Sequence, residues 1–408
     1  MAKRALLIGC NYPGTQAALN GCVNDVFRMK SMLVETFGFE EDDITILIDT
    51  DDSYESPTGS NIKRRLAEKV EESHPEDVLV FHFSGHGSQV PAPSGEEKDG
   101  KDECICPTDL NVLIDDDLRR ILKNLKDGVR FTMIADCCHS GTMLDHSEVQ
   151  IHGNKDPDAP EMPDLGALGQ LFGLKEGGGD RGIEVANRSL PTGSLFQMLG
   201  SSMGTDVNAG NIHSALGSMF GSDASPMLTH VAGMAGQMLM GQLSGSQGQE
   251  GEQPAGGKKG GGLAACLPML LSLFGLSSKP SGGKPPAQPQ PQAPAGGSAY
   301  QVPEGHIPGQ KPPASEQLPE DKGILVTGCQ AHETSADACP SGDKSQAYGA
   351  LSNAIQAVVR KHKADSPDEP LTNRELVMRV RATLLKTGFS QNPCLECSDS
   401  HADDPFIC

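Results

Sequence analysis

Short apolar runs and amphipathic stretches alternate along residues 1–150. Residues 5–8 (ALLI) form an unbroken apolar run, as expected of a strand buried on both faces of a parallel sheet. Val23, Val26, Phe27, Met29, Met32, Leu33 and Phe37 recur at helical spacing and stop at Gly38, which predicts an amphipathic helix ended by glycine. Residues 44–48 (ITILI) predict a second strand, and Asn61 precedes a helix whose inward stripe is Ile62, Leu66 and Val70. Residues 78–83 (VLVFHF) and 131–135 (FTMIA) read as the third and fourth strands. Between them, Leu118, Ile121, Leu122 and Leu125 put a helical stripe on 115–125. Strand–helix alternation of this kind predicts an α/β fold, a mostly parallel central sheet flanked by helices.

The texture changes at residue 151. Glycine, serine, proline, glutamine and methionine dominate 151–320, and 284–295 (KPPAQPQPQAPA) is low-complexity sequence of the extended or unstructured kind. Weak helical stretches remain around 194–200 and 211–220. Order resumes at 323–329 (GILVTGC), a buried strand ending in a turn. A helix over 348–362 follows, with Leu351, Ile355, Val358 and Val359 inward, and another over 376–385 opened by the cap region Thr372, Asn373, Arg374, Glu375. The expected organisation is a large subregion at 1–150, a linker at 151–320 and a small subregion at 321–408 that completes the same sheet. Together the two subregions have the size of one α/β domain.

Composition supports a linker of this length. Glycine (48) and proline (29) make roughly a fifth of the 408 residues, against a usual share of about 12%. The net charge of −21, with no local basic patch, repels a phosphate backbone and excludes nucleic acid as a partner; it favours cationic substrates and metal ions. The apolar run at the N-terminus is too short for a secretory signal. The 12 cysteines are therefore expected as thiols in a reducing, cytoplasmic or nuclear setting. The apolar run 263–276 (LAACLPMLLSLFGL) contains Pro268 and is shorter than a membrane span, so it is expected to pack on the protein, with peripheral membrane contact as the alternative.

In open α/β sheets, functional residues collect beyond the carboxyl ends of the strands. The third strand runs into Ser84, Gly85, His86, Gly87, Ser88, and the fourth into Asp136, Cys137, Cys138, His139, Ser140, Gly141. A histidine between glycines beside a cysteine before a glycine suggests a thiol nucleophile with an imidazole base. Side chains alternate along a strand, so Asp136 and Cys138 share a face while Cys137 points to the other. Cys138 is thus the expected nucleophile, and His86 is preferred to His139 as its base. A thiol phosphatase would need an arginine six residues past its cysteine, where Met143 and Leu144 stand instead.

SGHGS at 84–88, followed about fifty residues later by DCCHSG at 136–141, resembles the caspase-haemoglobinase clan of cysteine peptidases. Within that clan the chain is similar to the plant-type, type II metacaspases, which have a long linker between their catalytic subregions; the similarity covers 1–150 and 321–408, and 188–191 (RSLP) in the linker. The resemblance implies a caspase-like sheet and an endopeptidase that cuts protein or peptide substrates after arginine or lysine, with backbone N–H groups of Gly87 and Cys138 as oxyanion donors. It implies a primary specificity pocket of Asp25 and Asp136 with Ser84 and Cys22; two carboxylates there call for a cation between them. Asp25 as a mere helix cap is the plainer alternative.

The resemblance also implies an activating Ca²⁺ held by Asp102, Asp115, Asp116 and Asp145, oxygen donors of the kind calcium prefers. A first-turn helix cap at 115–117 is the alternative, and the stretch Glu96, Glu97, Lys98, Asp99 is less acidic than the family's, which points to a weak site. Self-processing in the linker is implied as well. Ser225 to Thr229 stands where relatives carry a lysine, which leaves Lys175, Arg181, Arg188 and Lys258 as candidate cleavage residues. A monomer is expected. Cys394, Cys397, His401 and Cys408 are read as structural rather than zinc-binding. The competing reading of the whole chain is a noncatalytic scaffold that binds partners, a membrane included, through its linker.

Overall fold

The computed structural model describes residues 1–92, 101–138, 144, 149–151, 183–225, 323–330 and 333–407. In chain order the large subregion supplies β1 (Lys3–Gly9), α1 (Cys22–Phe37), β2 (Ile44–Ile48), α2 (Gly59–Glu72), β3 (Val78–Ser84), β4 (His86–Pro91), β5 (Lys101–Cys106), β6 (Leu113–Ile114), α3 (Asp115–Leu122), β7 (Arg130–Asp136) and β8 (Val149–Ile151). The linker supplies β9 (Ile183–Asn187), α4 (Thr192–Met203) and α5 (Ile212–Phe220). The small subregion adds β10 (Ile324–Thr327), β11 (Ala336–Pro340), β12 (Tyr348–Gly349), α6 (Ala350–Asp365), α7 (Asn373–Thr387), β13 (Leu395–Glu396) and α8 (Asp399–Ala402).

Among the described residues the central sheet has seven strands in the order β2-β1-β3-β7-β10-β13-β8. The strands from β2 to β10 pair in parallel, and β13 and β8 add antiparallel edges. Strand alternation sorts the core. Ala5, Leu7, Val78 and Val80 face Val26, Met29 and Leu33 of α1 with Leu351 and Ile355 of α6 and Leu376 and Val380 of α7. Leu6, Ile8, Leu79, Phe81 and Met133 face Ile62, Leu66 and Val70 of α2 with Leu118 and Leu122 of α3. Both sheet faces are covered, as the apolar runs required. The register aligns Gly9 with Ser84 and Ser84 with Asp136, so β1, β3 and β7 end at one level.

Several boundaries differ from the sequence reading. The second helix starts before Asn61, because the hydroxyl of Thr58 accepts from Asn61 N and caps it. The helix expected over 348–362 starts at Ala350, because Tyr348 and Gly349 pair with β11 as β12. The helix over 115–125 ends at Leu122. The next helix is bounded as its cap predicts, since Thr372 and Glu375 form a reciprocal capping box. The largest difference lies in the linker. The helical stretches expected around 194–200 and 211–220 form as α4 and α5, while Ile183–Asn187, for which no element was expected, forms β9, and these pack on the catalytic subregions.

Two small sheets sit above the ends of the central strands: β4-β5-β6, and β12-β11-β9. The second joins the linker to the small subregion, with Ala336 opposite Asn187 and Pro340 opposite Ile183. Val90 of β4, Cys104 and Cys106 of β5, Val112 and Ile114 form an apolar floor, which Leu190, Leu195, Leu199, Val207, Ile212 and Leu216 of the linker cover. Among the described residues no helix is long and apolar enough to cross a membrane. The run 263–276 lies outside the described residues.

Candidate active site

His86 opens β4 two residues past the end of β3, and Cys138 follows the end of β7 by two. Parity holds: Cys137 is buried in the core beneath, while Cys138 Sγ accepts from Ser335 N at 2.9 Å and donates to Asn187 Oδ1 at 3.3 Å. Gly87 must be glycine, because a Cβ there would lie 1.7 Å from the Cys138 carbonyl oxygen. That close approach brings the β4 backbone against the end of β7.

The His86 tautomer follows from its partners. Nε2 lies 2.8 Å from the Ala17 carbonyl, which can only accept, so Nε2 carries the proton and Nδ1 presents a lone pair. That Nδ1 is buried with no well-aligned hydrogen bond, although the Arg188 backbone acts on the ring. Burial is the main influence pushing the imidazole pKa below its ordinary value. Tyr12 fixes the ring. Its hydroxyl accepts from His86 N at 2.8 Å and donates to the Cys106 carbonyl at 2.5 Å, and the two rings lie 4.9 Å apart.

Beside this pair is an acidic pocket filled by the linker. Arg188 is fully buried, and its guanidinium reaches Asp25 at 2.9 Å, Asp337 at 2.9 Å and Asp136 at 3.3 Å. Ser84 Oγ accepts from Nη1 at 2.7 Å and donates to Asp25 at 2.8 Å. Each carboxylate has further donors: Gly349 N to Asp25, Ser352 N and Ser335 Oγ to Asp136, Asn20 N and Gly21 N to Asp337. Asp25 therefore does not serve as a helix cap; from the first turn of α1 it turns into the pocket. Burial foremost, opposed by Arg188, raises its pKa to about 6. The Cys22 thiol borders the same charges, and burial keeps its pKa well above the ordinary thiol value. Gly349 makes room for the guanidinium, since a Cβ there would stand 2.3 Å from Asp136 Oδ2 and from Arg188 Nη1.

The Arg188 main chain is held as firmly as its side chain. Its N–H donates to the Ser335 carbonyl at 2.9 Å; its carbonyl oxygen accepts from Gly87 N at 3.0 Å and lies 3.5 Å from Cys138 N. Upstream, β9 runs antiparallel along β11. Downstream, Leu190 N donates to the Gly87 carbonyl at 2.9 Å. The chain crosses the cleft as an extended peptide with one carbonyl pointed at two N–H groups.

Gly87, Asp25, Asp136, Ser84, Cys22 and Arg188 are thus brought together, and His86 and Cys138 flank the contact between Gly87 and the Cys138 carbonyl without a hydrogen bond between their side chains. Asp337 is a pocket acid that the sequence reading missed; it comes from β11, 312 residues beyond Asp25. The acidic set proposed for calcium is less assembled. The antiparallel register, with Cys104 opposite Ile114, carries Asp102 of β5 to the same end as Asp115 and Asp116 in the first turn of α3. Arg119 pairs with Asp116 and stands 4.0 Å from Asp115. Asp117 takes the capping role, accepting from Ile114 N at 3.4 Å. Among the described residues no three His, Cys, Asp or Glu side chains cluster into a metal site, the Cys394 and Cys397 region included. Asp99, Asp145, Lys175, Arg181, Lys258 and Cys408 lie outside the described residues.

A mostly parallel sheet flanked by helices, with the ends of β1, β3 and β7 at one level beside an acidic slot, defines the caspase-like class of α/β fold. The family profile for the metacaspase, peptidase C14 domain matches residues 3–147. The chain is 38% identical to Metacaspase-4 of Arabidopsis thaliana over 452 aligned residues and 38% identical to Metacaspase-6 over 410, with all of each chain covered. Metacaspase-7 of the same plant is 36% identical over 449 residues, again at full coverage. The chain belongs to the metacaspase family, alongside these type II plant members, and it is a cysteine peptidase.

Proposed function

We propose that this peptidase uses Cys138 as its nucleophile and His86 as its base, cuts after arginine or lysine, and is made as a precursor that cuts its own bond between Arg188 and Ser189. One observation carries the reading: Arg188 fills a pocket of three carboxylates while its carbonyl oxygen meets the N–H groups of Gly87 and Cys138. Of the four linker candidates it is the one among the described residues, and its placement supports a substrate role in cis.

In the proposed reaction His86 Nδ1 takes the proton of Cys138, and the thiolate attacks the Arg188 carbonyl carbon. The oxyanion that forms is stabilised by the two N–H groups, fixed beforehand where the charge develops. The imidazolium then protonates the leaving Ser189 nitrogen. Water hydrolyses the thioester by the same proton route. Once 183–188 leaves, three carboxylates remain in the slot, and an incoming arginine or lysine restores their counter-charge.

Fluorogenic peptides ending in arginine, lysine or aspartate test the specificity. Arginine and lysine peptides should be hydrolysed and aspartate peptides should not; aspartate cleavage would refute the pocket assignment. The rate should also depend on pH through the pocket. Asp25 must be ionised to attract a guanidinium, and its pKa is raised to about 6. That value holds with the Arg188 guanidinium in the slot; the emptied slot takes up its proton at a higher pH, so kcat/KM for arginine peptides should fall with decreasing pH from above about 6, and Asp25→Asn should remove that limb of the profile. An unchanged limb in the variant would assign it elsewhere. Gly349→Ala should intrude on the guanidinium position. Overpacking of about 1–3 kcal/mol corresponds to a roughly 5- to 150-fold fall in kcat/KM for arginine peptides.

We propose calcium as the activating ion, with Asp102, Asp115, Asp116 and Asp145 as its donors. Support comes from the hard oxygen chemistry of the set and the net charge of −21. The described members are not a preformed cage, because Arg119 holds Asp116. Binding has to release that ion pair, which fits a site of modest affinity. Arg119→Ala should lower the calcium concentration for half-maximal activation by roughly 2- to 5-fold, the scale of one solvent-bordering ion pair. Calorimetric titration measures it, and tight binding by the unaltered chain would refute the weak site.

A further inference from the structure

The two sides of the bond between Arg188 and Ser189 are anchored very differently. On the upstream side, Ile183, Glu184, Val185, Ala186 and Asn187 are all half-buried or exposed, and only Arg188 is buried. On the downstream side, Leu190 is buried and begins the apolar cover formed with Leu195, Leu199, Val207, Ile212 and Leu216 over the β4–β6 sheet. Polar ties reinforce that cover. Leu190 N donates to the Gly87 carbonyl at 2.9 Å, Ser88 Oγ donates to the Leu190 carbonyl at 2.7 Å, and Thr192 Oγ1 donates to the Gln89 carbonyl at 2.8 Å. At its far end, Asn111 Nδ2 and Lys63 Nζ both donate to the Asp223 carbonyl, and Ser225 Oγ donates to Asp117 at 3.0 Å. Cutting the bond leaves every one of these contacts intact. The upstream strand is held by its pairing with β11 and by the Arg188 ion pairs, contacts that an incoming substrate strand can take over, whereas the apolar cover downstream has no such competitor.

We infer that the Ser189 α-amine freed by self-cleavage stays in the leaving-group position and acts as an acyl acceptor, so that the processed enzyme transfers acyl groups onto its own new N-terminus as well as to water. The inference rests on the proposed cut after Arg188. Ser189 is one residue from the buried Leu190, and its backbone pairs with Gly87, the residue beside His86. That short tether keeps the amine beside the site of the thioester carbonyl, where intramolecular reactants gain large effective concentrations. The chemistry is the reverse of the acylation step. The amine nitrogen attacks the thioester carbonyl, His86 takes a proton from that nitrogen, the bond from carbon to Cys138 sulphur breaks, and the proton returns to the thiolate. An amide forms, a thioester is consumed, and no other reactant is needed. An α-amine has an ordinary pKa of about 7.7–8.0, so the share of transfer over hydrolysis should rise as the pH passes through about 8.

The test uses the full-length, self-processed enzyme. Its N-terminal sequences are read first, and it is then given acetyl-Ile-Glu-Val-Ala-Asn-Arg methylcoumarin amide, whose small leaving group makes few demands on the downstream side. Coumarin release reports acylation, and mass spectrometry reports the fragment that starts at Ser189. The expected result is a gain on that fragment equal to the acetyl-hexapeptide acyl group, growing with pH. The gain should be lost in Leu190→Gly and reduced in the milder Thr192→Ala, which removes only one tie. Coumarin release with no gain on the Ser189 fragment would overturn the inference while leaving the proposed cut standing. No fragment starting at Ser189 would overturn both.

Discussion

Arg188→Ala leaves the chain uncut between residues 188 and 189 and destabilises the precursor by about 3–5 kcal/mol, the usual scale for removing one partner of a buried ion pair. The expectation follows from the cage. Asp25 and Asp136 are fully buried, Asp337 nearly so, and the Arg188 guanidinium is a charge shared by all three. Without it, carboxylates that repel each other must stay ionised in a dry pocket or bind protons. The sign with pH follows. In the variant the folded chain binds more protons than the unfolded one, so the deficit is largest at high pH and shrinks as the pH falls; without Arg188, which lowers its pKa, Asp25 protonates above the value of about 6 that it has beside the guanidinium. Urea denaturation at pH 8 and pH 5 measures both the size and the trend. Arg188→Lys keeps a cation in the slot and should preserve the cut and most of the stability. An alanine variant as stable as the unaltered chain at pH 8 would contradict the cage as described.

Cys138→Ala should abolish the self-cut and lower hydrolysis of arginine peptides by roughly 10⁴- to 10⁶-fold, as loss of a nucleophile does where acting residues form a unit. Its fold should persist, because the sulphur's partners here are Ser335 N, the Asn187 side chain and the neighbouring Cys329 thiol rather than a structural bridge. Mass spectrometry showing the same linker fragments from Cys138→Ala and the unaltered chain would refute self-processing. Cys137→Ala supplies the contrast. That residue packs in the core with Phe81, Phe83 and Met133, so its loss should affect stability before activity.

The parallel core was readable because both faces of its strands are apolar and its helices carry single stripes; β1, β2, β3 and β7 lie where unbroken runs such as ITILI and VLVFHF stand. The strand ends were readable by parity, which separated Cys138 from Cys137. Strands β4 to β6 were not. His86 to Pro91 has no alternation, since glycine, serine and glutamine share it with valine, and its apolar side is covered by a linker helix rather than by sheet or core helix. Residues 183–187 (IEVAN) do alternate, but five residues in glycine-rich surroundings carry little periodic signal, and their strand exists by pairing with β11. Asp337 was invisible for a related reason: it has no motif, and its role depends on tertiary placement opposite Asp25. The one available hint was an acid on a short strand of the small subregion, where a pocket shared by both subregions needs a contributor.

Arg188 is proposed to occupy the substrate position of its own active site. N-terminal sequencing of the fragments formed when the purified chain first becomes active tests that directly. The expected new terminus begins Ser189, Leu190, Pro191 and is absent from Cys138→Ala. First fragments that begin at any other residue, with 188–189 still joined in the active enzyme, would contradict it.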